Sequence, residues 1–252
     1  MDKILVSKED IRQFYITERG FNSMLKKYAY LFPIKGSKEL AGLVADIMGD
    51  GNLQGYPKWR FDFCSKSKET LNIFGEKIYS NFNIKGKIRN CTTNIFGVSY
   101  LYGVNCKPLS KSLYYIGVPS GEKVTQGFKI PNWILEDKEY FREFISRLFI
   151  CEGSVDYSAP FVKFGMSKII PLLNDGFYFF NQIKDNLLFH FNIKTMRIYS
   201  EKPRKTRKDN QLTSRIILKI KRQSELIKFL NEINYPNEDN KQKILSKIKR
   251  NT

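Results

Sequence analysis

One histidine and four cysteines are all that 252 residues offer toward a soft-metal site. Cys64, Cys91, Cys106 and Cys151 form no CxxC pair and His190 stands alone, so a zinc site is not expected, and scattered free thiols fit a reducing compartment. Long apolar runs are missing too. Nothing approaches the roughly 20 apolar residues of a membrane span, and the opening MDKILVSKEDIRQ is charged where a secretory leader would be apolar. The expected location is the cytoplasm of a prokaryotic host, with an organelle as the alternative. Acidic side chains are in deficit: 43 Lys plus Arg against 25 Asp plus Glu gives a net charge of +18. That excess attracts a polyanion at long range and makes nucleic acid the first partner to consider, although a Lys-, Ile- and Asn-rich composition also follows from AT-rich coding.

What is present is enough for an ordinary core, 42% hydrophobic residues, and it is arranged twice. ELAGLVADIMGDGNL (Glu39 to Leu53) and FREFISRLFICEGSV (Phe141 to Val155) share one plan: an apolar run at helical spacing, an acid, a Gly, a polar and an apolar residue. The acids are Asp50 and Glu152, and Gly51 is expected to close the first helix in the left-handed conformation. Each acid is followed by a strand-like segment running into a helix, KWRFDFCSKSKETLNIF and APFVKFGMSKIIPLLND, with Ser65-Lys66 and Ser167-Lys168 in matching places. Each helix then leads into nearly the same words, NFNIKGKIR and HFNIKTMRI, read as a helix end entering a strand. FGVSYLYGVN supplies further strands in the first copy; EKPRKTRKDNQ, RIILKIK and SELIKFLNEI give a basic arm, a strand and a helix in the second. The division expected is an N-terminal extension (1–38), a first unit (39–137) and a second (138–252). In the extension, SKEDIRQFY reads as a helix capped by Ser7 with Asp10 three residues on, used for packing or as a small DNA-binding appendage.

An Asp-Gly after an apolar helix is ordinarily a turn. A second acid at the matching point of a repeat points elsewhere. A carboxylate at a helix C-terminus sits at the negative end of the macrodipole, which favours a cation nearby. Two such ends brought together by pseudo-twofold packing would repel unless divalent metal lay between them.

The segments LVADIMGDG (Leu43 to Gly51) and ISRLFICEG (Ile145 to Gly153) resemble the paired motifs of the LAGLIDADG homing endonucleases, single-chain type. The likeness covers about residues 39 to 250 and includes SGEKVTQGFKIPNWI and INYPNEDNKQKIL. It implies an α+β fold of two pseudo-symmetric αββαββα units, with motif helices paired at the centre and saddle-shaped antiparallel sheets over the DNA. It further implies Mg²⁺ or Mn²⁺ held by Asp50 and Glu152 with the carbonyls of Gly49 and Cys151, one cut per strand and short 3′ overhangs. Lys123 and Lys241 match basic residues beside the scissile phosphates, with Lys66 and Lys168 as second candidates. Ala45 keeps a small residue at the expected helix crossing, whereas Arg147 departs from the pattern and Ser146 takes the contact if the register shifts by one.

Alternating polar positions nominate a DNA-facing set: Lys58, Arg60, Asp62, Lys66, Lys85, Lys87 and Arg89 in the first copy. In the second they are Lys163, Lys168, Arg197, Arg215 and Lys219, with Arg204, Lys205, Arg207 and Lys208 in the basic arm. The halves differ in sequence, so the target is expected to be long and asymmetric double-stranded DNA, bound by a monomer. The ending RNT lacks the His-Asn of an intein, which suggests an intron-encoded or free-standing gene. Three rivals stand beside this reading: a maturase binding intron RNA, a non-cleaving DNA-binding regulator of the same fold, and an unrelated basic RNA-associated protein.

Overall fold

The computed structural model describes residues 3–91, 98–156, 160–205, 207, 209–233, 241–243 and 245–247. Contacts divide the chain into two compact units, Met1–Gly121 and Glu122–Thr252.

In the first unit, β1 (Ile4–Val6) pairs with β2 (Ile34–Lys35), and α1 (Lys8–Arg12) and α2 (Glu18–Tyr28) lie between them in sequence. The capping box expected at Ser7 and Asp10 is formed, each group bonding the other's backbone N–H. An αββαββα series follows: α3 (Lys38–Gly49), β3 (Gly51–Gln54), β4 (Arg60–Ser65), α4 (Lys68–Phe82), β5 (Lys87–Asn90), β6 (Tyr100–Val104) and α5 (Lys107–Tyr115). The four strands form an antiparallel sheet ordered β3-β4-β6-β5. Alternation in RFDFCS turns Phe61 and Phe63 toward the helices, where Phe63 stacks on Phe74 at 4.6 Å between centroids. Each Phe buried this way stabilises the fold by about 2–3 kcal/mol.

The second unit repeats the series with one short strand added. It comprises α6 (Asn132–Leu135), α7 (Lys138–Glu152), β7 (Gly153–Asp156), β8 (Phe161–Ile169), α8 (Leu173–Phe191), β9 (Tyr199–Ser200), β10 (Arg204–Lys205), β11 (Leu212–Ile220) and α9 (Gln223–Glu232). Its antiparallel sheet runs β10-β11-β8-β7, with β9 also on β11. Phe149, Phe164 and Phe229, one each from α7, β8 and α9, meet edge to face at 5.2 to 5.8 Å. The repeated words read as helix ends are such ends: α4 and α8 both stop at an Asn, Asn83 and Asn192, in the left-handed conformation.

The spatial grouping differs from the sequence division at two places. Residues 122–137 go with the second unit, where Gln182 brackets Ile130, accepting from its N–H at 2.9 Å, and α6 packs on α7. Residues 3–38 are part of the first. Tyr115 donates to Asp10 at 2.9 Å, and the nearly buried Lys111 ammonium donates to the Phe14 carbonyl at 2.9 Å while lying 3.5 Å from the Tyr15 ring centre. No described helix is long and apolar enough to cross a membrane.

Candidate active site and nucleic-acid interface

Both acids stand where a helix turns directly into a strand. Asp50 caps α3 and is exposed, its N–H bonded to the Asp46 carbonyl, while its own carbonyl accepts from Cys64 N–H at 3.2 Å. Glu152 ends α7 and is half-buried. The following glycines are required, though not for the reason expected. Among the described residues the left-handed glycines are Gly117 and Gly121, not Gly51. A Cβ on Gly51 would come within 2.6 Å of Ile47 Cα and 2.9 Å of the Asp62 carbonyl, and one on Gly153 would collide with the Phe149 ring and carbonyl. What the turn needs is the absence of a side chain where sheet and helix backbones nearly touch. Gly49 is buried and Cys151 half-buried beside the acids.

The helix α3 is buried from Leu40 to Gly49, including the small Gly42, Ala45 and Gly49. It also buries Asp46 completely, 3.7 Å from the Lys77 ammonium of α4, a pair that motif spacing does not reveal because the second copy has no counterpart acid in its run. In α7 the small buried residue is Ser146, 1% exposed, its hydroxyl donating to the Arg142 carbonyl at 2.7 Å, whereas Arg147 is only partly covered.

Within the second unit Glu152 shares an open cleft of about 290 Å³ with Lys123, Val124, Gly165, Met166, Ser167 and Arg215. Lys123 begins a 3-10 turn, Lys123–Thr125, and the Arg215 guanidinium lies over Gly165, where a Cβ would meet its Cζ at 2.9 Å. One acid and two cations thus line one hollow. Such a set draws a phosphate and leaves a hard oxygen ligand beside it.

Lys168 is a correction. It is 1% exposed, and its ammonium donates to the carbonyls of Lys123 at 2.5 Å and Gln126 at 2.7 Å, 3.9 Å from the Phe128 ring centre. It cannot meet DNA. Burial pushes its pKa down to about 8, against the opposing pull of Asp175. The expected facing fails because one loop is a residue shorter. In the first unit residues 55–59 join Gln54 to its partner Arg60; in the second, 157–160 join Asp156 to Phe161. Aligning the ladders instead of the acids, Phe63 opposite Gly51 and Phe164 opposite Gly153, places Lys168 level with Ser67 rather than Lys66. A slip of one residue moves a side chain to the other face of a sheet.

Arg207 of the basic arm is engaged by acids of its own unit: its guanidinium binds Glu122 at 2.9 Å and Asp209 at 2.7 Å. The Arg207 bonds hold the Glu122 carboxyl below the usual range. Arg204 is exposed, 3.5 Å from Glu201, and with Lys205 forms β10 on β11. Lys208 lies outside the described residues, as do residues 234–240 of the INYPNEDNKQKIL phrase; Lys241 is described and half-buried.

The outer sheet faces carry most of the remaining candidates. In the first unit Asn52, Asp62, Gly103 and Lys87 fall in one row across the sheet, Cys64, Leu101 and Arg89 in the next, and Arg60 donates to its partner Gln54 at 2.9 Å. Lys58 and Lys66 are exposed at the two ends of β4, and Lys85, just before β5, lies 4.8 Å over the Tyr79 ring of α4. In the second unit Lys163 stands directly opposite Lys219, Arg215 opposite Ser167, and Arg197 is exposed ahead of β9. Opposed lysines repel, a cost that a polyanion on that face removes. Lys219 is further fixed between the rings of Phe161 and Tyr199 at 5.0 and 5.2 Å.

No family model matches the chain. A segment of the tRNA-splicing ligase RtcB of Methanocaldococcus jannaschii is 25% identical over 266 residues, covering 93% of this chain. The chain spans about a quarter (25%) of that relative's length. Among solved structures, the homing endonuclease I-WcaI bound to its DNA recognition sequence is similar at a TM-score of 0.55 and 14% identity, over 95% of this chain and 98% of that one. Full-length DUF199/WhiA from Thermatoga maritima matches at 0.53 and 14%, over 86% and 63%. I-DmoI in complex with DNA and Ca matches at 0.50 and 17%, over 78% and 88%. At such identities the likeness is one of fold: α+β units of antiparallel sheet and helices, as in LAGLIDADG-like folds.

Proposed function

We propose that this chain is a site-specific, metal-dependent DNA endonuclease that hydrolyses one phosphodiester in each strand of a long asymmetric duplex target, leaving short 3′ overhangs. The observation that carries the reading is the duplicated end of the motif helix: each unit delivers one acid, Asp50 or Glu152, at a helix-to-strand turn that excludes any side chain but glycine's, beside a sheet with polar and basic residues on its outer face. Structural neighbours described as homing endonucleases, one bound to its recognition sequence and one with DNA and Ca, support it.

The donors at each turn are hard oxygens, which suit Mg²⁺ or Mn²⁺, ions that keep several waters and take few protein ligands together with phosphate. Asp50 with the Gly49 carbonyl, and Glu152 with the Cys151 carbonyl, would hold them. A bound divalent ion there would supply an activated water and charge for the leaving oxygen. The chain's own residues do the rest. Lys123, in the cleft with Glu152, steadies the phosphate as charge builds, and Lys241 is proposed for the counterpart role. Arg215, which lines the same cleft, orients the phosphate. Lys87, Arg89, Lys163 and Lys219 hold the duplex on the sheet faces.

A second reading, a DNA- or RNA-binding protein of the same fold without cleavage, draws on the same cleft. Lys123 and Arg215 share it with Glu152, and a cation that neutralises that carboxylate leaves a phosphate cradle with no ligand to spare. The likeness to a quarter of an RNA ligase brings no ligation to this chain. Incubating the protein with a randomised duplex library in Mg²⁺ and in EDTA, and sequencing the ends, separates the readings. Discrete Mg²⁺-dependent ends with 3′ overhangs at one long asymmetric site are expected; binding without cutting in any library would favour the second reading.

A further inference from the structure

The turn that carries Lys123 is tied down from both sides. Outside, Arg207 bonds Glu122, and Thr125 closes the turn on the Glu122 carbonyl at 3.1 Å. Inside, the Lys168 ammonium reaches up from β8 to the carbonyls of Lys123 and Gln126, across 45 and 42 residues of sequence. Burying an ammonium is costly, and a position that needed only volume would be served as well by Met or Leu. The long side chain is spent on two backbone acceptors of one turn, and Gly127, where a Cβ would run into Asp175, lets the segment lie close enough to be reached. The level position in the first unit is Ser67, which caps α4, so the first unit places no lysine there.

We propose that Lys168 is a positioning residue of the second unit alone, holding the 123–126 turn so that Lys123 stays in the cleft of Glu152. The proposal rests on the endonuclease reading for its effect on chemistry, but not for its effect on the turn. Lys168 touches no substrate and acts through Lys123.

Two readouts test it. In metal-free protein, Lys168→Met should speed hydrogen exchange of the 123–128 amides by about tenfold while α9 amides stay near wild type. Lys168→Arg, which keeps charge and donors, should restore protection. Where the Met variant does not fold, Lys168→Gln serves the same comparison. In strand-resolved cleavage at saturating DNA and Mg²⁺, Lys168→Met should slow one strand by about tenfold and spare the other, and adding it to Lys123→Met should cause little further loss. Unchanged exchange at the turn, equal slowing of both strands, or additive losses in the double variant would overturn the proposal. A wild-type protein that cuts nothing would overturn the endonuclease reading instead, and the exchange result alone would then decide whether Lys168 holds the turn.

Discussion

A Cβ at position 51 has no room, and that single fact explains why acid and glycine travel together. Gly51→Ala must displace backbone of α3 or β4, so its folding stability should fall by about 1–3 kcal/mol in urea unfolding, the usual range for overpacking. Lys168 yields a prediction with a sign. Its folded pKa is lowered to about 8 from an ordinary value of 10.5, so between these values the unfolded chain binds more protons and stability from this group rises with pH. The neighbouring charges that tune it are Asp175 and Lys123. Subtracting the pH profile of Lys168→Met from that of the wild type should leave a gain from pH 8 to 10.5; a flat difference would mean that the ammonium is not buried as described. At this scale the sequence was legible where chemistry repeats. Asp50 and Glu152 stand out because a second copy confirms the pattern, whereas Asp46 is masked by the apolar run around it, and its partner Lys77 lies on another helix.

Among the elements, the strands of the motif halves were readable because one face is buried and alternation marks it, as in RFDFCS. The helix α5 was not: its sequence KPLSKSLYY buries Ser110, Lys111 and Ser112, so burial there follows tertiary partners such as the Phe14 carbonyl rather than an apolar stripe. The facing of Lys168 was hidden because motif spacing runs from the acid, while facing is set by the ladder, and the two halves differ by one loop residue. The outer faces lead to a measurable expectation. Each of Lys87→Ala, Arg89→Ala and Lys163→Ala should weaken metal-free duplex binding and flatten the dependence of log K on log salt by about 0.9 for every phosphate no longer neutralised. Lys219→Ala should do the same and also free the rings of Phe161 and Tyr199. A salt slope unmoved by these changes would place the duplex elsewhere.

For the whole molecule, a net charge of +18 favours a polyanion as partner, and the two units differ in sequence, so under the proposed function the two halves of the target should differ as well. The duplication was visible in the sequence; the grouping of residues 122–137 with the second unit was not, because it depends on Lys168 and Gln182 reaching back over some 40 or more residues. The function proposed for this chain turns on a division of labour between two acids, and strand-resolved cleavage by Asp50→Asn and Glu152→Gln on the selected target is its sharpest test. Each variant should lose double-strand cleavage while binding DNA without metal nearly as the wild type does. Either variant cutting both strands at the wild-type rate would contradict that division.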